Sequence, residues 1–149
     1  RKCQTKLVLH HLPSMDIVHK YYAEVSFFYI NQLEIMTLYK NVLTFLKPKC
    51  PPLRLIEYQQ EYLEWEPVGG LALGSLIILY DKSTIAFYYR SPKVEKSWEI
   101  DVVQEIEEVK SSEDELFIAL RVKEPRDMIF VWDVGNMSKK PNQQIRSRD

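Results

Sequence analysis

Residues 14–47 read SMDIVHKYYAEVSFFYINQLEIMTLYKNVLTFLK, and whether this stretch coils or extends decides the fold class. Apolar residues recur at Val18, Tyr22, Val25, Tyr29, Leu33, Met36, Val42 or Leu43, and Leu46, close to the three-and-four spacing of one helical face. Ser14 suits a helix N-cap, Asp16 and Lys47 complement the helix dipole at the two ends, and Pro48 stops the pattern. A single helix of this length would be about 50 Å long, against a radius of gyration of about 15 Å for a compact chain of this size. It must therefore project and pair with another helix, or break near Ser26 to Asn31, where Phe27-Phe28-Tyr29-Ile30 has strong strand propensity.

Working outward, Lys6 to Leu12 form a short apolar run that suits a strand, ended by Pro13-Ser14. On the other side, Pro51-Pro52 opens a second helical reading through Ile56, Tyr58, Tyr62 and Trp65, favoured by the Glu and Gln residues, while the aromatic content also suits a strand. The helical part thus covers about residues 14–66, as one long or two shorter helices. Pro67-Val68-Gly69-Gly70 is the main internal punctuation, and after it the period becomes that of strands. Ser75 to Tyr80 and Thr84 to Arg90 flank a turn at Asp81-Lys82-Ser83, and Trp98, Ile100 and Val102 alternate with acids. Leu116, Ile118, Leu120 and Val122 repeat the alternation, Met128 to Val134 is apolar on both faces, and Val103 to Val109 fits a bulged strand or a short helix. An antiparallel part over about residues 71–134, with five or six strands, and a flexible tail over 135–149 complete a single α+β domain.

The succession Trp65-Glu66-Pro67, Gly74, the Ser75 to Arg90 hairpin, Ser97 to Val102 and Leu116 to Val122 resembles the sheet of a pleckstrin-homology-like barrel. The resemblance spans about half of the chain, carries no diagnostic motif, and departs from that family in lacking a closing C-terminal helix after Val134. It implies a second use for Lys82, Arg90, Lys93 and Lys96, since such domains commonly bind inositol phosphates through basic loop residues. Asp81 and Glu95 dilute that charge here.

The chain has 149 residues, 46% hydrophobic, 12% aromatic and 28% charged, with a net charge of -1. This describes an ordinary globular domain and excludes a disordered, collagen-like or disulfide-dense one. No apolar run reaches the roughly 18 residues of a membrane-spanning helix. Basic excess is confined to Arg1, Lys2 and Lys6 at one end and Lys139, Lys140, Arg146 and Arg148 at the other, which argues against nucleic acid as a partner. Cys3 and Cys50 are too few and too far apart for a zinc site. Two reduced thiols in an intracellular protein is the simpler account, and a secreted domain with a Cys3 to Cys50 bridge the alternative, to which the acceptor pattern Asn136-Met137-Ser138 adds. A start at Arg1 suggests a piece of a longer protein.

No HExxH, GxSxG, Walker loop or GxGxxG is present, so no catalytic residue, metal ligand or cofactor is assigned. A strand would put His10 and His11 on opposite faces, away from a common metal, and His19 stands alone. Gly69 to Ser75 lacks the lysine of a phosphate loop. The acids Glu99, Asp101, Glu105, Glu107, Glu108, Glu113, Asp114 and Glu115 have neither calcium-loop spacing nor a visible pairing, and read as a solvated sheet face. What is left is aromatic surface: Tyr22, Tyr29 and Met36 on the helical stripe, and Tyr88 and Tyr89 on opposite faces of one strand. These residues make a non-catalytic protein-binding or self-associating module of a scaffold or regulatory protein the leading expectation. A phosphoinositide adaptor and an extracellular domain are the alternatives.

Overall fold

The computed structural model describes residues 6–10, 14–31, 33–90, 94–102, 105–123, 127–138 and 140–146. Strands dominate them, and the described residues include no α-helix. The chain divides into two compact units, residues 1–66 and 67–149, at the Pro67 to Gly70 punctuation.

In the first unit, β1 (Lys6–His10) and β2 (Ile17–Tyr22) form an antiparallel hairpin. A four-stranded meander follows in sequential order: β3 (Phe27–Ile30), β4 (Ile35–Tyr39), β5 (Val42–Lys49) and β6 (Arg54–Tyr62). The helix expected over residues 14–47, and the second one through 51–66, are therefore corrected to strands. Valine, isoleucine, threonine, tyrosine and phenylalanine fill these segments, residue types that fit a pleated surface better than a helix. Side chains of the local sequence also cut the stretch into short pieces. Asn31 Oδ1 accepts hydrogen bonds from the backbone N–H groups of Leu33 and Glu34, which turns the chain between β3 and β4. Lys40, at φ 53°, and Asn41 make the two-residue turn between Tyr39 and Val42.

In the second unit, β7 (Gly69–Leu73), β8 (Leu76–Tyr80), β9 (Thr84–Tyr89) and β10 (Glu95–Asp101) form one meander. A second has the same plan: β11 (Ile106–Ser111), β12 (Phe117–Val122), β13 (Met128–Asp133) and β14 (Gln143–Arg146). The hairpin expected around Asp81 is present, closed by Asp81 Oδ1 accepting from the N–H groups of Ser83 and Thr84. The pleckstrin-homology-like barrel is not: the sheets remain separate and none closes on itself. The segment given to a flexible tail contributes β14, whose Ile145 pairs with Ile129, and a short 3₁₀ turn at Val134–Asn136.

Cross-strand register assigns the faces, because directly paired antiparallel residues point the same way. In the second unit, Leu71, Ile78 and Phe87 share one face of the β7 to β10 sheet. Ile118, Leu120, Val122 and Trp132 share one face of the β11 to β14 sheet. These two faces meet, with the Phe87 and Trp132 rings 6.2 Å apart and tilted. The opposite face of the β7 to β10 sheet, with Ala72, Ile77, Leu79, Ala86 and Tyr88, is buried as well. Being covered on both sides, β8 and β9 read as continuous apolar runs.

Gly69 is required by close approach. It pairs with Tyr80, and a Cβ built there would lie 2.7 Å from Cζ of the Tyr80 ring, well inside van der Waals contact. Gly69→Ala should lower the unfolding free energy by about 1–3 kcal/mol in urea titration, the range for overpacked cores. Pairing it with Tyr80→Leu should return part of the loss.

Candidate functional site

The β3 to β6 sheet has one closed face and one half-open face. Met36, Leu38, Leu43 and Phe45 line the closed face, and Met36 is 0% exposed. On the other face, Ile35, Leu46 and Leu55 form a buried cluster against Leu7, Leu9 and Tyr21 of the β1–β2 hairpin. The Tyr21 hydroxyl donates to Glu57 Oε1 and ties the hairpin to β6. The hairpin covers only part of this face. Beyond it, the floor continues through Thr37, Tyr39, Val42, Thr44 and Gln60, and with Tyr21, Ala23, Glu24 and Glu57 these residues enclose a cleft of about 200 Å³. Gln60 donates from Nε2 to the Thr44 hydroxyl across the floor, and Thr37 and Thr44 are buried polar residues.

Phe28 lies in register with Thr37 at the rim of the cleft, and Ile30 with Ile35. Their side chains are 47% and 57% exposed, and Leu33 in the following turn is more open still. β3 is an edge strand, paired only with β4. The result is a contiguous apolar surface on β3 beside a shallow polar cleft.

No family model matches this chain, and no curated protein is significantly similar to it.

The aromatic residues singled out from the sequence do not form one surface. Tyr22 is exposed at the end of β2, Tyr29 is half-buried on the closed face of its sheet opposite Phe28, and Met36 is enclosed. Tyr88 is buried and Tyr89 exposed, both in the second unit. A partner therefore cannot reach Met36 or Tyr88 in this structure. Phe28 and Ile30 fall on one face of residues 27–30 by simple alternation once the strand propensity of that stretch is followed, whereas the helical stripe omits them.

Of the basic residues, Arg90 and Lys96 lie at one end of the β9–β10 pair and Lys82 at the other end of β9. Lys82 is exposed in the β8–β9 turn, Arg90 is half-buried, and Lys96 Nζ bonds Glu99 at 3.0 Å. Lys93 lies outside the described residues. The barrel whose resemblance suggested a basic ligand-binding loop is absent from the described residues. Cys50 is exposed, and Cys3 lies outside the described residues.

Acidic residues are engaged locally. Asp127 accepts two hydrogen bonds from Arg121, whose guanidinium holds the carboxyl below the usual carboxylate range. Glu107 and Glu108 pair with Arg121 and Lys110, and Asp114 binds the Ser112 hydroxyl and the Leu116 N–H in its own turn. Among the described residues, no cluster of three or more histidine, cysteine or acidic side chains is placed to hold a metal ion.

Two groups under the hairpin have measurable consequences. His19 pairs with Leu9 and faces the same side as Tyr21; its Nε2 is buried and has no hydrogen-bond partner among the described residues. An unmet buried polar atom costs about 1–3 kcal/mol, so His19→Leu should raise the thermal midpoint. The Tyr21 phenol is pushed well above its ordinary value, first by partial burial and then by the hydrogen bond and charge of Glu57. An unfolded tyrosine ionises near pH 10. Above that pH the unfolded chain holds fewer protons than the folded one, so stability falls as pH rises. Tyr21→Phe should flatten this alkaline loss when chemical denaturation is compared at about pH 8 and pH 11.

Proposed function

We propose that the chain is a non-catalytic protein-interaction module of a larger scaffold or regulatory protein. One observation carries this reading: the apolar surface of Phe28 and Ile30, left open where the β1–β2 hairpin stops short of β3. Apolar groups raised on an edge strand, with a polar rim beside them, match the anatomy of a protein contact, in which a few large side chains supply most of the energy. The adjoining cleft suits one or two partner side chains, since small-molecule sites usually enclose about 300–1,000 Å³. Its acidic neighbours, Glu24 and Glu57, favour a donor or a cation from that partner. An intracellular setting goes with this reading, because it keeps the exposed Cys50 thiol reduced.

Phe28→Asp with Ile30→Asp tests it. Proteins recovered in stoichiometric amount with the wild-type chain from its own cells should be lost from the double variant by at least tenfold. The circular dichroism spectrum and melting midpoint should change little, because both side chains are half open already. Retention of the same proteins by a folded double variant would sink the proposal.

A further inference from the structure

The polar groups that line the cleft of the first unit are acceptors with capacity to spare. Register sets Phe28, Thr37, Thr44 and Gln60 side by side in one row across the β3 to β6 sheet, with Tyr39, Val42 and Tyr62 in the row beside it. Thr37 and Thr44 are only 6% and 7% exposed, in positions where a sheet usually carries apolar side chains. The Thr37 hydroxyl spends its proton on the Thr44 carbonyl at 3.5 Å and accepts no hydrogen bond among the described residues. The Thr44 hydroxyl accepts from Gln60 Nε2 at 3.4 Å. Both separations lie at the outer limit of a hydrogen bond, and a hydroxyl oxygen can accept two. Buried lone pairs on the cleft floor are therefore short of donors, a condition that costs stability until a donor arrives.

Charge points the same way. Glu24 and Glu57 line the cleft, and among the described residues no lysine, arginine or histidine does. Glu57 Oε1 takes the Tyr21 hydroxyl, and no basic group of the described residues pairs with that carboxylate. Tyr21 and Tyr39 add rings to the wall. Lys40 Nζ stands 5.5 Å from the centroid of the Tyr39 ring, although Lys40 itself does not line the cleft. The fitting occupant is cationic, rich in donors, flat enough to lie on a tyrosine ring, and carried on an apolar stem that suits Phe28 at the end of the row. A guanidinium meets all four demands, with five donors in one plane and weaker hydration than an ammonium.

We infer that the cleft receives an arginine side chain of the protein partner, its guanidinium set among Glu57, Gln60 and the Thr37–Thr44 pair and its stem against Phe28. This deepens the interaction-module reading and rests on it. The cleft, at about 200 Å³, admits one such side chain. Glu57 is exposed, so the charge attraction is screened by salt. Phe28 and Ile30 hold the partner, and the cleft selects it.

The probe is Nα-acetyl-arginine amide, compared with its lysine and citrulline analogues, citrulline having the shape of arginine without the charge. Each is titrated at low salt into the isotope-labelled 149-residue chain and followed by two-dimensional NMR. The backbone amide signals of Thr37, Thr44 and Gln60 should shift and saturate with a Kd of about 1–10 mM, the strength expected of so small a ligand. The lysine analogue should bind about threefold more weakly and the citrulline analogue about tenfold. Glu57→Gln keeps an acceptor for Tyr21 but loses the charge, and should weaken arginine binding about fivefold. Thr37→Val should do likewise; if it does not fold, Glu57→Gln, at an exposed position, decides alone. Arginine binding unchanged in the folded variants overturns the inference, as does a citrulline or lysine analogue that binds as tightly as arginine. Proteins still lost through Phe28→Asp with Ile30→Asp, while the arginine probe moves no cleft signal, overturn the cleft assignment alone and leave the interaction module standing.

Discussion

A four-stranded antiparallel meander has two faces, and this chain is rich enough in aliphatic and aromatic residues that neither face is content in water. Closing the β7 to β10 sheet on both sides is the constraint on which the second unit depends. Ile77, Ile78, Leu79, Ile85, Ala86 and Phe87 are almost wholly withdrawn from solvent, at about 25 cal/mol for each Å² of apolar surface removed from water. The tilted Phe87 and Trp132 rings fix how the second meander sits on the first. Small residues follow from the same requirement: Gly69 leaves room for the Tyr80 ring, and Ala86 and Ala72 thin the sheet between larger neighbours.

Sheet stacking also decides where function is to be sought. Charged groups are mostly consumed where they stand, as with Arg121 between Glu107 and Asp127, or Asp114 inside its turn. Such exposed pairs are worth little energetically and leave little charge for a ligand. Incomplete coverage is different, because an apolar face ending abruptly at Phe28 and Ile30 has a standing free-energy gain available to whatever covers it.

The strands of the N-terminal half imitate a helical period for a physical reason. Strands of four to eight residues joined by turns of uneven length shift the phase of their alternation, and the apolar positions then average to something near a helical period. Tyr22, Tyr29 and Met36, seven residues apart, come from β2, β3 and β4. Tyr29 and Met36 are direct cross-strand partners, while Tyr22 belongs to the separate hairpin. The strand propensity of residues 27–30 marks one break, whereas the positive φ at Lys40 leaves no strong mark in composition.

By itself the sequence determined the hairpin around Asp81 and the alternation of Leu116 to Val122, because glycine, Asx turns and period-two patterning act over a few neighbouring residues. It also determined the absence of any recognised catalytic motif. Only the tertiary structure decided that residues 14–62 extend, that Met36 and Tyr88 are enclosed, and that Phe28 and Ile30 stay open. Those outcomes depend on which sheet lands on which face and how far the β1–β2 hairpin reaches, and burial by distant residues outweighs the weak helical preference of a segment that could be written either way.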